Sequence, residues 1–415
     1  MNCFYAAVEL LHRPELRGRP VVVGGHEEMR HGIVLAKNLI AKRFGIQTGM
    51  SLVEARQQCP ELVTIPPDYH LYMEFSRLAR AIYYDYTDLV EPFGPDEAWL
   101  DVTGSVHLWG NDSRLIAEEI SERVKAELGV SVSVGLSWNK IFAKFGSDYR
   151  KPDAVTIITP ENYRQIVWTA PVGELLYVGR ATRNKLAASA IHTIGELACE
   201  DERLLRNKFG KIGPMLQLFA QGGDITPVKV LDPQSSTVDY EIKSIGNGLT
   251  APHDIVDERD GRLLVSLLSE SVAQRLREQR LKARTICITV RDSADLSCYS
   301  RQAPLPQATN ITREINAAAF ALLAANEPLD GSRPLRTLGV RAANLVDANL
   351  PQQLSIFGDE QQRLALERLD STIDELRRRF GNNIVRRAVA LGDEQMTPLD
   401  ICRDNVVHPV GFLHR

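Results

Sequence analysis

The sequence predicts an α+β protein of several domains, and three observations lead to this fold class. The chain has 415 residues, which is long for one hydrophobic core and suits three or four domains. In the first 160 residues, strand-like alternation and helical periodicity are mixed without a regular βαβ repeat. In a later part of the chain, strand-like and helical segments follow one another in the order β-α-β-β-α-β.

Short stretches define the elements expected in the first 160 residues. The chain opens on an alternating, aromatic-rich stretch, MNCFYAAVEL, where a first strand is expected, and RPVVVGG predicts a buried strand closed by glycines. In SLVEARQQCP, Ser51 and Glu54 have the spacing of a capping box, which predicts a helix that stops near Pro60. Residues 69–89 have helical spacing, and EAWLDV and VSVSVGLS alternate. We expect an antiparallel sheet with helices on one side.

The next segment, residues 162–228, is helical and punctuated by glycines. VGRATRNKLAASAIHTIGEL predicts two short helices opened by Gly179 and Gly195. Their N-terminal amides could bind a phosphate oxygen, or the segment could be an ordinary helical hairpin. The polar stretch LDPQSSTVDY predicts a linker at residues 231–240.

The β-α-β-β-α-β unit after this linker is mildly basic. Between residues 243 and 341 it holds 14 Lys and Arg against 11 Asp and Glu, although the whole chain has a net charge of -4. Its predicted strands carry Arg284, Arg291, Arg301, Arg336 and Arg341. If alternation brings some of them to one open face, that face could follow a phosphate backbone; a solvated sheet face is the alternative.

Composition excludes some classes of protein. No apolar run reaches the roughly 18 residues of a membrane span, and the start lacks the features of a signal peptide, so we expect a cytoplasmic protein without a membrane partner. The six cysteines are scattered singly, without a pair spaced for zinc or redox chemistry.

The strongest chemical signal is EPFGPDEAWLDVTGS. Asp96 and Glu97 adjoin each other after a Gly-Pro turn and before an alternating strand, and adjacent carboxylates of this kind suit Mg²⁺. Downstream, SVGLSWNKIFAKFGSDYRKPD delivers Lys140, Lys144 and Lys151, which suit a polyphosphate with bound metal. For Lys140 and Lys144 we expect exposure or packing rather than catalysis.

Several motifs together carry a family resemblance over roughly residues 1–345. They are NCFYAAVE, GIVLAKNLIAKRFGIQTGMSLVEARQQCP, FGPDEAWLDVTGS, VGLSWNKIFAKFGSDYRKPD, VGRATRNKLAASAIHTIGEL and KSIGNGLTAP. In this order they resemble the Y-family translesion DNA polymerases, and most closely their DinB type. The resemblance implies a right-hand polymerase with a palm (1–10 and 68–160), fingers (11–67), a thumb with a helix-hairpin-helix (161–230), a linker (231–240), a little-finger domain (241–346) and a tail (347–415).

The resemblance also implies roles for single residues. Asp96 and Glu97 match the catalytic acids that bind two Mg²⁺ ions, and the carbonyl of Met1 would join the metal site. Tyr5 matches the steric gate against ribonucleotides, and Lys42 and Lys151 match triphosphate-binding positions. Gly179, Gly195 and the strand arginines would contact DNA.

Three departures from the family pattern bear on activity. Leu39 stands where many members have a triphosphate-contacting tyrosine, and Ala154 replaces a usual glycine. The metal-binding aspartate and the strand that precede MNCFY in the family are not in this sequence, and Glu9 is expected on a helix facing away. We therefore expect a misassigned start codon, with Met1 inside an Asp-Met-Asn triplet.

A further motif, QLSIF, resembles the clamp-binding pentapeptide of bacterial replication proteins. Gln353 would hydrogen-bond, and Leu354, Ile356 and Phe357 would fill an apolar pocket of the sliding clamp; packing of the tail on the body is the alternative. A charged helix is expected after the motif, over residues 360–380. The leading hypothesis is a monomeric, template-directed DNA polymerase that uses primer-template DNA and deoxynucleoside triphosphates in low-fidelity translesion synthesis. A DNA- and clamp-binding relative with an impaired metal site, and a metal-dependent repair nuclease, are the alternatives.

Overall fold

The computed structural model describes residues 1–25, 32–229, 242–351 and 360–389. These residues divide into two compact units: residues 1–24 and 34–229 belong to the first, and residues 242–351 and 360–389 belong to the second. Within the described ranges, every helix is too short or too polar to cross a membrane.

Residues 1–160 form short strands and longer helices. In chain order they are α1 (Phe4–His12), β1 (Val21–Gly24), β2 (Val34–Lys37), α2 (Leu39–Arg43), α3 (Leu52–Gln58), β3 (Val63–Ile65), α4 (Tyr69–Tyr84), β4 (Val90–Pro92), β5 (Ala98–Leu100), α5 (Ser113–Leu128), β6 (Val134–Leu136), α6 (Lys140–Tyr149) and β7 (Val155–Ile157). The strands form three small sheets, β2-β1-β3, β4-β5 and β6-β7.

Two expectations for this region are wrong. The opening stretch forms helix α1 rather than a strand. An alternating run this short fits both the strand period and the helical period, and the buried side chains of α1 extend as far as Glu9. The strands do not join into one antiparallel sheet, since β1 pairs with β3 and β6 with β7 in parallel. Strands of three or four residues carry too little pattern to specify their partners.

The β2-β1-β3 sheet packs against α2 and α3 around a small hydrophobic cluster. The predicted capping box of α3 is confirmed: the Glu54 amide donates to Ser51 Oγ at 3.1 Å, and the Ser51 amide donates to the Glu54 carboxylate at 3.2 Å. Asn38 caps α2 by accepting from the Ala41 amide at 2.8 Å, and its side chain also accepts from the Val21 amide at 3.1 Å. This bonding fixes the start of α2 to strand β1.

A second cluster fills the space between α1, α4 and α5. It includes Tyr72, Tyr83, Val90, Ile116 and Val124. Helix α4 ends at Tyr84, five residues before the end of the predicted helical stretch, and the chain then enters the β4-β5 hairpin. This packing supports the hairpin that carries the two adjacent carboxylates.

The helical segment contains α7 (Tyr163–Ile166), α8 (Arg180–Ala187), α9 (Ile194–Cys199), α10 (Glu202–Phe209) and α11 (Ile212–Ala220). Its hydrophobic cluster includes Ile141, Phe142 and Phe145 of α6, so the core continues across residue 160. The domain boundaries given above stay a prediction.

The two glycines of the helical segment have different surroundings. Gly179 caps α8, and a side chain there would meet open space. Gly195 does not open a helix: Thr193 caps α9, and the Gly195 amide donates to the Trp168 carbonyl at 3.0 Å. A Cβ at position 195 would lie 2.9 Å from the Trp168 side chain, so this glycine serves close packing, and its amide is already used.

The second unit has the predicted β-α-β-β-α-β order, which is confirmed. Its elements are β8 (Ser244–Asp257), α12 (Glu258–Glu278), β9 (Leu281–Asp292), β10 (Cys298–Thr309), α13 (Thr312–Asn326) and β11 (Asp330–Asp347). The sheet is antiparallel with strand order β10-β9-β11-β8. Residues of α12 and α13 share one hydrophobic cluster with residues such as Ile286, Ile288 and Val290 of β9, so both helices cover the same face of the sheet.

Helix α14 (Glu360–Phe380) belongs to the second unit and has the bounds expected from the sequence. It is attached to α12 by a buried charge network. Arg277 donates to both carboxylate oxygens of Asp374, at 2.6 and 2.9 Å, and Arg377 donates to Glu270 at 2.9 Å. Asp370 accepts from the Thr312 amide at the start of α13 at 2.8 Å.

Candidate active site

Asp96 and Glu97 lie in the tight connection of the β4-β5 hairpin. Pro92 pairs with Ala98, and the Phe93 amide donates to the Glu97 carbonyl at 2.9 Å, so the turn is closed by backbone bonds. Gly94 has a φ of 94°, a conformation that favours glycine. The sequence therefore places both carboxylates on a stiff frame at the entrance of β5, as expected from their position after the Gly-Pro turn.

The Asp96 carboxyl group borders a cavity of ≈ 160 Å³ in the same unit. Glu97, Met1, Lys144 and Lys151 also line this cavity. Burial raises the pKa of Asp96, and the adjacent Glu97 carboxylate acts in the same direction. The backbone nitrogen of Met1 donates to the Asp96 carbonyl at 2.6 Å, so Met1 lies directly beside the acids.

A chain of ion pairs joins Glu97 to α6. Lys144 donates to Glu97 at 2.9 Å and to Asp148 at 2.7 Å, and Asp148 also accepts from Lys151 at 2.5 Å. Although its own burial opposes this, the hydrogen bonds from the two lysines lower the pKa of Asp148. The network holds Lys151 near the carboxylates and delivers a second cation, Lys144, to the same place.

Exposure, one of the two roles expected for Lys140 and Lys144, is excluded. Their side chains are only 12% and 16% exposed. Lys140 pairs with Glu91 at 2.8 Å and lies over the Trp99 ring at 4.8 Å from its centroid. Lys140 therefore packs the hairpin against α6, as the packing interpretation predicts, whereas Lys144 contacts a proposed catalytic acid directly.

Tyr5 is half-buried on the first turn of α1. Its ring stacks on Tyr72 with 4.2 Å between centroids and 12° between planes, and Tyr69 meets it edge-on at 6.1 Å. Burial raises the pKa of Tyr5 to about 12, and the Asp96 carboxylate contributes in the same direction. The ring thus lies within electrostatic reach of the metal-binding candidates.

Three lysines surround the start of α1. Burial raises the pKa of the Cys3 thiol, and three ammonium groups oppose this effect, those of Lys37, Lys42 and Lys151. Lys42 is exposed on α2, while Lys37 ends β2 and donates to Thr48 at 3.3 Å. The sequence analysis predicted Lys42 and Lys151 but missed Lys37. Its position at the end of strand β2, just before the Asn38 cap of α2, could have indicated it as a further cation near the site.

Two of the departures from the family pattern, Leu39 and Ala154, have different consequences. Leu39 is 45% exposed at the first position of α2 and supplies no polar group. Ala154 causes no backbone strain, because the positive φ of this turn, 57°, falls on Asp153. The Ala154 carbonyl accepts from the Val134 amide at 2.9 Å, so the alanine is accommodated in the sheet connection.

The open face of the second unit's sheet carries only part of the arginine set. Arg341 pairs with Cys287, and Arg291 pairs with Cys298 and Thr337, on the side away from the helices. Arg301 stands opposite the buried Ile288 and lies over the Tyr299 ring, so it projects from the helix-covered side at the sheet edge. Arg336 falls at a register shift and Arg284 near another irregular position, which leaves their faces undefined by the pairing.

Small residues surround Arg291 and Arg341 on this open face. Gly248 pairs with Gly339, and hydroxyl groups meet across the strands as Thr250 with Thr337 and Thr289 with Ser300, each pair 3.0 Å apart. A face of this kind allows a nucleic-acid backbone to approach closely.

The donor set fits a divalent cation that completes its shell with substrate atoms. Mg²⁺ binds through one or two carboxylates, its own waters and substrate phosphates, and Asp96 and Glu97 supply the carboxylates. Within the described ranges, no group of three or more His, Cys, Asp or Glu is arranged to hold a metal ion.

The clamp-motif residues Gln353, Leu354, Ile356 and Phe357 lie outside the described residues.

Comparison with known proteins gives a consistent result. Residues 1–148 match the impB/mucB/samB family and residues 242–356 match the C-terminal domain of that family. The chain is 48% identical to DNA polymerase IV of Acetivibrio thermocellus, over 95% of this chain and 96% of that protein. It is 35% identical to DNA polymerase IV 1 of Bacillus subtilis, over 95% and 92%. A chimera of the Y-family DNA polymerases Dbh and Dpo4 has the same fold, with a TM-score of 0.72 at 22% identity over 83% of this chain and 97% of the other.

The family matches and the relatives define a nucleotidyltransferase of the polymerase class. The chain belongs to the Y family of translesion DNA polymerases, in its DNA polymerase IV branch. It is a DNA-directed DNA polymerase that performs translesion synthesis, acts on DNA and nucleotides, and depends on a divalent metal.

Proposed function

We propose that nucleotidyl transfer takes place at Asp96 and Glu97 with two Mg²⁺ ions. The observation that carries this assignment is the pair of carboxylates just before strand β5, in a cavity that Lys151 also lines. The two side chains and the Met1 carbonyl would hold the ions, with phosphate oxygens and water completing the shell. When bound, the ions activate the primer 3′-hydroxyl and neutralise charge on the triphosphate.

The residues around the carboxylates would bind and orient the nucleotide. Lys42 and Lys151 supply positive charge for the triphosphate, which supports their assignment as binding residues. Tyr5 presents a ring fixed by stacking, and we propose that it lies against the incoming sugar, where it leaves no room for a 2′-hydroxyl. Selection of deoxynucleotides would then be steric.

For DNA binding we propose two separate surfaces. Gly179, with open space around it at the cap of α8, would contact a phosphate, whereas Gly195 is withdrawn because its amide is bonded to Trp168. On the sheet, Arg291 and Arg341 would contact the backbone, and Arg284 and Arg336 remain candidates. We do not propose Arg301 as a DNA contact, because it projects from the helix-covered side of the sheet.

The sliding clamp is the protein partner that we propose, through Gln353, Leu354, Ile356 and Phe357. The support is the sequence QLSIF itself and its place between two folded elements, β11 and α14. We also propose that the protein is a monomer. A cytoplasmic location is proposed because the relatives are bacterial, and bacterial chromosomal DNA is in the cytoplasm.

Substitution of the two acids tests the catalytic assignment. Asp96→Asn and Glu97→Gln keep side-chain shape but remove negative charge, so primer extension should fall on the order of 10³-fold, which is about 4 kcal/mol. Affinity for primer-template DNA should stay within about twofold in a binding titration, because these side chains bind metal and not the duplex.

Asp88→Asn is the matched control, since Asp88 is an exposed carboxylate outside the cavity. It should extend primers at the wild-type rate. Extension near the wild-type rate in either Asp96→Asn or Glu97→Gln would refute the assignment, provided that the melting temperatures of all variants agree.

A further inference from the structure

A buried support lies beneath the proposed gate residue. Tyr5 stacks almost parallel on Tyr72 of α4, and Tyr72 is 0% exposed. Phe4 approaches the same ring with 6.2 Å between centroids, and Tyr69 approaches it edge-on at 6.1 Å. The ring below Tyr5 is therefore enclosed on several sides and cannot tilt without displacing its neighbours.

The hydroxyl group of Tyr72 is fixed as well. It donates to Glu9 Oε1 at 2.6 Å, and the other carboxylate oxygen of Glu9 accepts a hydrogen bond from Arg13. Glu9 is only 3% exposed, so its charge is stabilised in the interior by this pair of donors. As expected from the sequence, Glu9 lies on a helix and its carboxylate is used away from the metal-binding candidates.

Helix geometry links these contacts to Tyr5. Tyr5 and Glu9 are four residues apart on α1 and therefore lie on the same face of the helix. Tyr72 touches both, its ring against Tyr5 and its hydroxyl against Glu9. Burial and the Glu9 hydrogen bond raise the pKa of Tyr72, which keeps the phenol protonated as a donor.

We propose that Tyr72 and Glu9 are positioning residues that set sugar discrimination by holding the Tyr5 ring at a fixed angle. This inference rests on the proposed function of Tyr5 as the gate. A steric gate distinguishes two sugars by a single oxygen atom, so a small rotation of the ring opens space for the 2′-hydroxyl. The buried hydrogen bond from Tyr72 to Glu9 holds the Tyr72 ring in place, and the stacked Tyr72 ring in turn restricts rotation of the Tyr5 ring.

Tyr72→Phe is the informative substitution, because it keeps the stacked ring and removes only the hydroxyl. The ratio of kcat/KM for a deoxynucleotide to that for the matching ribonucleotide should fall at least fivefold, through a rise in ribonucleotide kcat/KM. Tyr86→Phe is the matched control: Tyr86 is also buried, and its hydroxyl donates to a different carboxylate, Glu119, at 3.0 Å. Its ratio should equal that of the wild type.

A double-mutant cycle separates positioning from general destabilisation. Tyr5→Ala alone should lower the ratio further than Tyr72→Phe, and the Tyr5→Ala, Tyr72→Phe double variant should match Tyr5→Ala, since the support has nothing left to position. If Tyr5→Ala lowers the ratio and Tyr72→Phe does not, the support is refuted and the gate stands. If Tyr5→Ala leaves the ratio unchanged, the gate is refuted and the support with it.

Discussion

Two carboxylates joined by one peptide bond have different surroundings in this protein. Asp96 lines the cavity and is partly buried, and this burial raises its pKa. Glu97 is held by Lys144 at 2.9 Å. Among the residues that the structure describes, no lysine lies at hydrogen-bond distance from the Asp96 carboxylate, whereas Glu97 shares Lys144 with Asp148. A cation at the proposed metal site would have to displace Lys144 from Glu97 or share this carboxylate with it, so we expect Lys144 to affect metal binding there.

The proposed role of Tyr5 as the steric gate leads to a prediction about sugar selectivity. Tyr5→Ala removes the ring that would exclude a 2′-hydroxyl, so ribonucleotide incorporation should rise on the order of 100-fold, about 2.7 kcal/mol of lost discrimination. Single-nucleotide insertion kinetics with matched deoxy- and ribonucleotides measure the effect. Tyr5→Phe is the control, because it keeps the ring and should keep the discrimination; unchanged selectivity in Tyr5→Ala would show that another residue guards the sugar.

The sequence was sufficient to predict candidate site residues that adjacent residues in the chain make recognisable. Asp96 and Glu97 are conspicuous because like charges are adjacent after a turn. Tyr72 and Lys144 were not assigned these roles, since one acts by packing across 67 residues on Tyr5 and the other by reaching Glu97 across 47 residues. Such contacts exist only after the helices have packed, and one sequence contains no local signal for them.

Among the elements, strand β6 and helix α6 approach each other closely near the site. A Cβ at Gly135 would overlap the Ala143 carbonyl oxygen and lie 2.5 Å from the Ser147 amide nitrogen. The absence of a side chain therefore lets α6 approach the strand, and α6 carries Lys144 and leads to Lys151.

Gly135→Ala should separate β6 from α6 and displace both lysines. Overpacking of this kind destabilises by about 1–3 kcal/mol, so the melting temperature should fall by several degrees and primer extension should fall with it. Thermal melting and extension assays check the two effects. Gly104→Ala is the control, because a side chain at position 104 meets open space; equal melting of both variants would contradict the close-packing argument.

Local signals also explain which elements could be predicted. The capping box of α3 and the bounds of α14 follow from residues within a few positions of one another. The β-α-β-β-α-β order could be read because its strands are 12 to 18 residues long. The strands of three or four residues in the first unit gave no partner information, and the parallel pairing of β1 with β3 and of β6 with β7 emerged only with the structure.

At the scale of the whole molecule, ion pairs attach helix α14 to the rest of the second unit. Arg277 and Asp374 are 97 residues apart in sequence and form a two-point, buried ion pair. The sequence predicted α14 as a charged helix, but it did not predict where this helix packs. The ion pair that attaches it forms only after folding has brought Arg277 and Asp374 together. The proposed clamp motif follows β11 and precedes α14, so both of its neighbours in the chain belong to one folded unit.

The clamp proposal leads to the last prediction. Leu354→Ala with Phe357→Ala removes two apolar anchors, each worth roughly 1.5–3 kcal/mol when fully buried. Affinity for a bacterial sliding clamp should fall at least tenfold, about 1.4 kcal/mol, in a binding titration. Extension of short primer-templates without the clamp should be unchanged, because neither residue belongs to the proposed metal or DNA sites.

Leu350→Ala with Leu364→Ala is the matched control for this double variant. Both leucines are 53% exposed and flank the motif on its two sides, so their loss removes similar apolar surface without touching QLSIF. The control should bind the clamp as tightly as the wild type. If the Leu354 and Phe357 variant keeps its clamp affinity but melts at a lower temperature, these side chains pack the tail against the body of the protein, and the clamp is not reached through this motif.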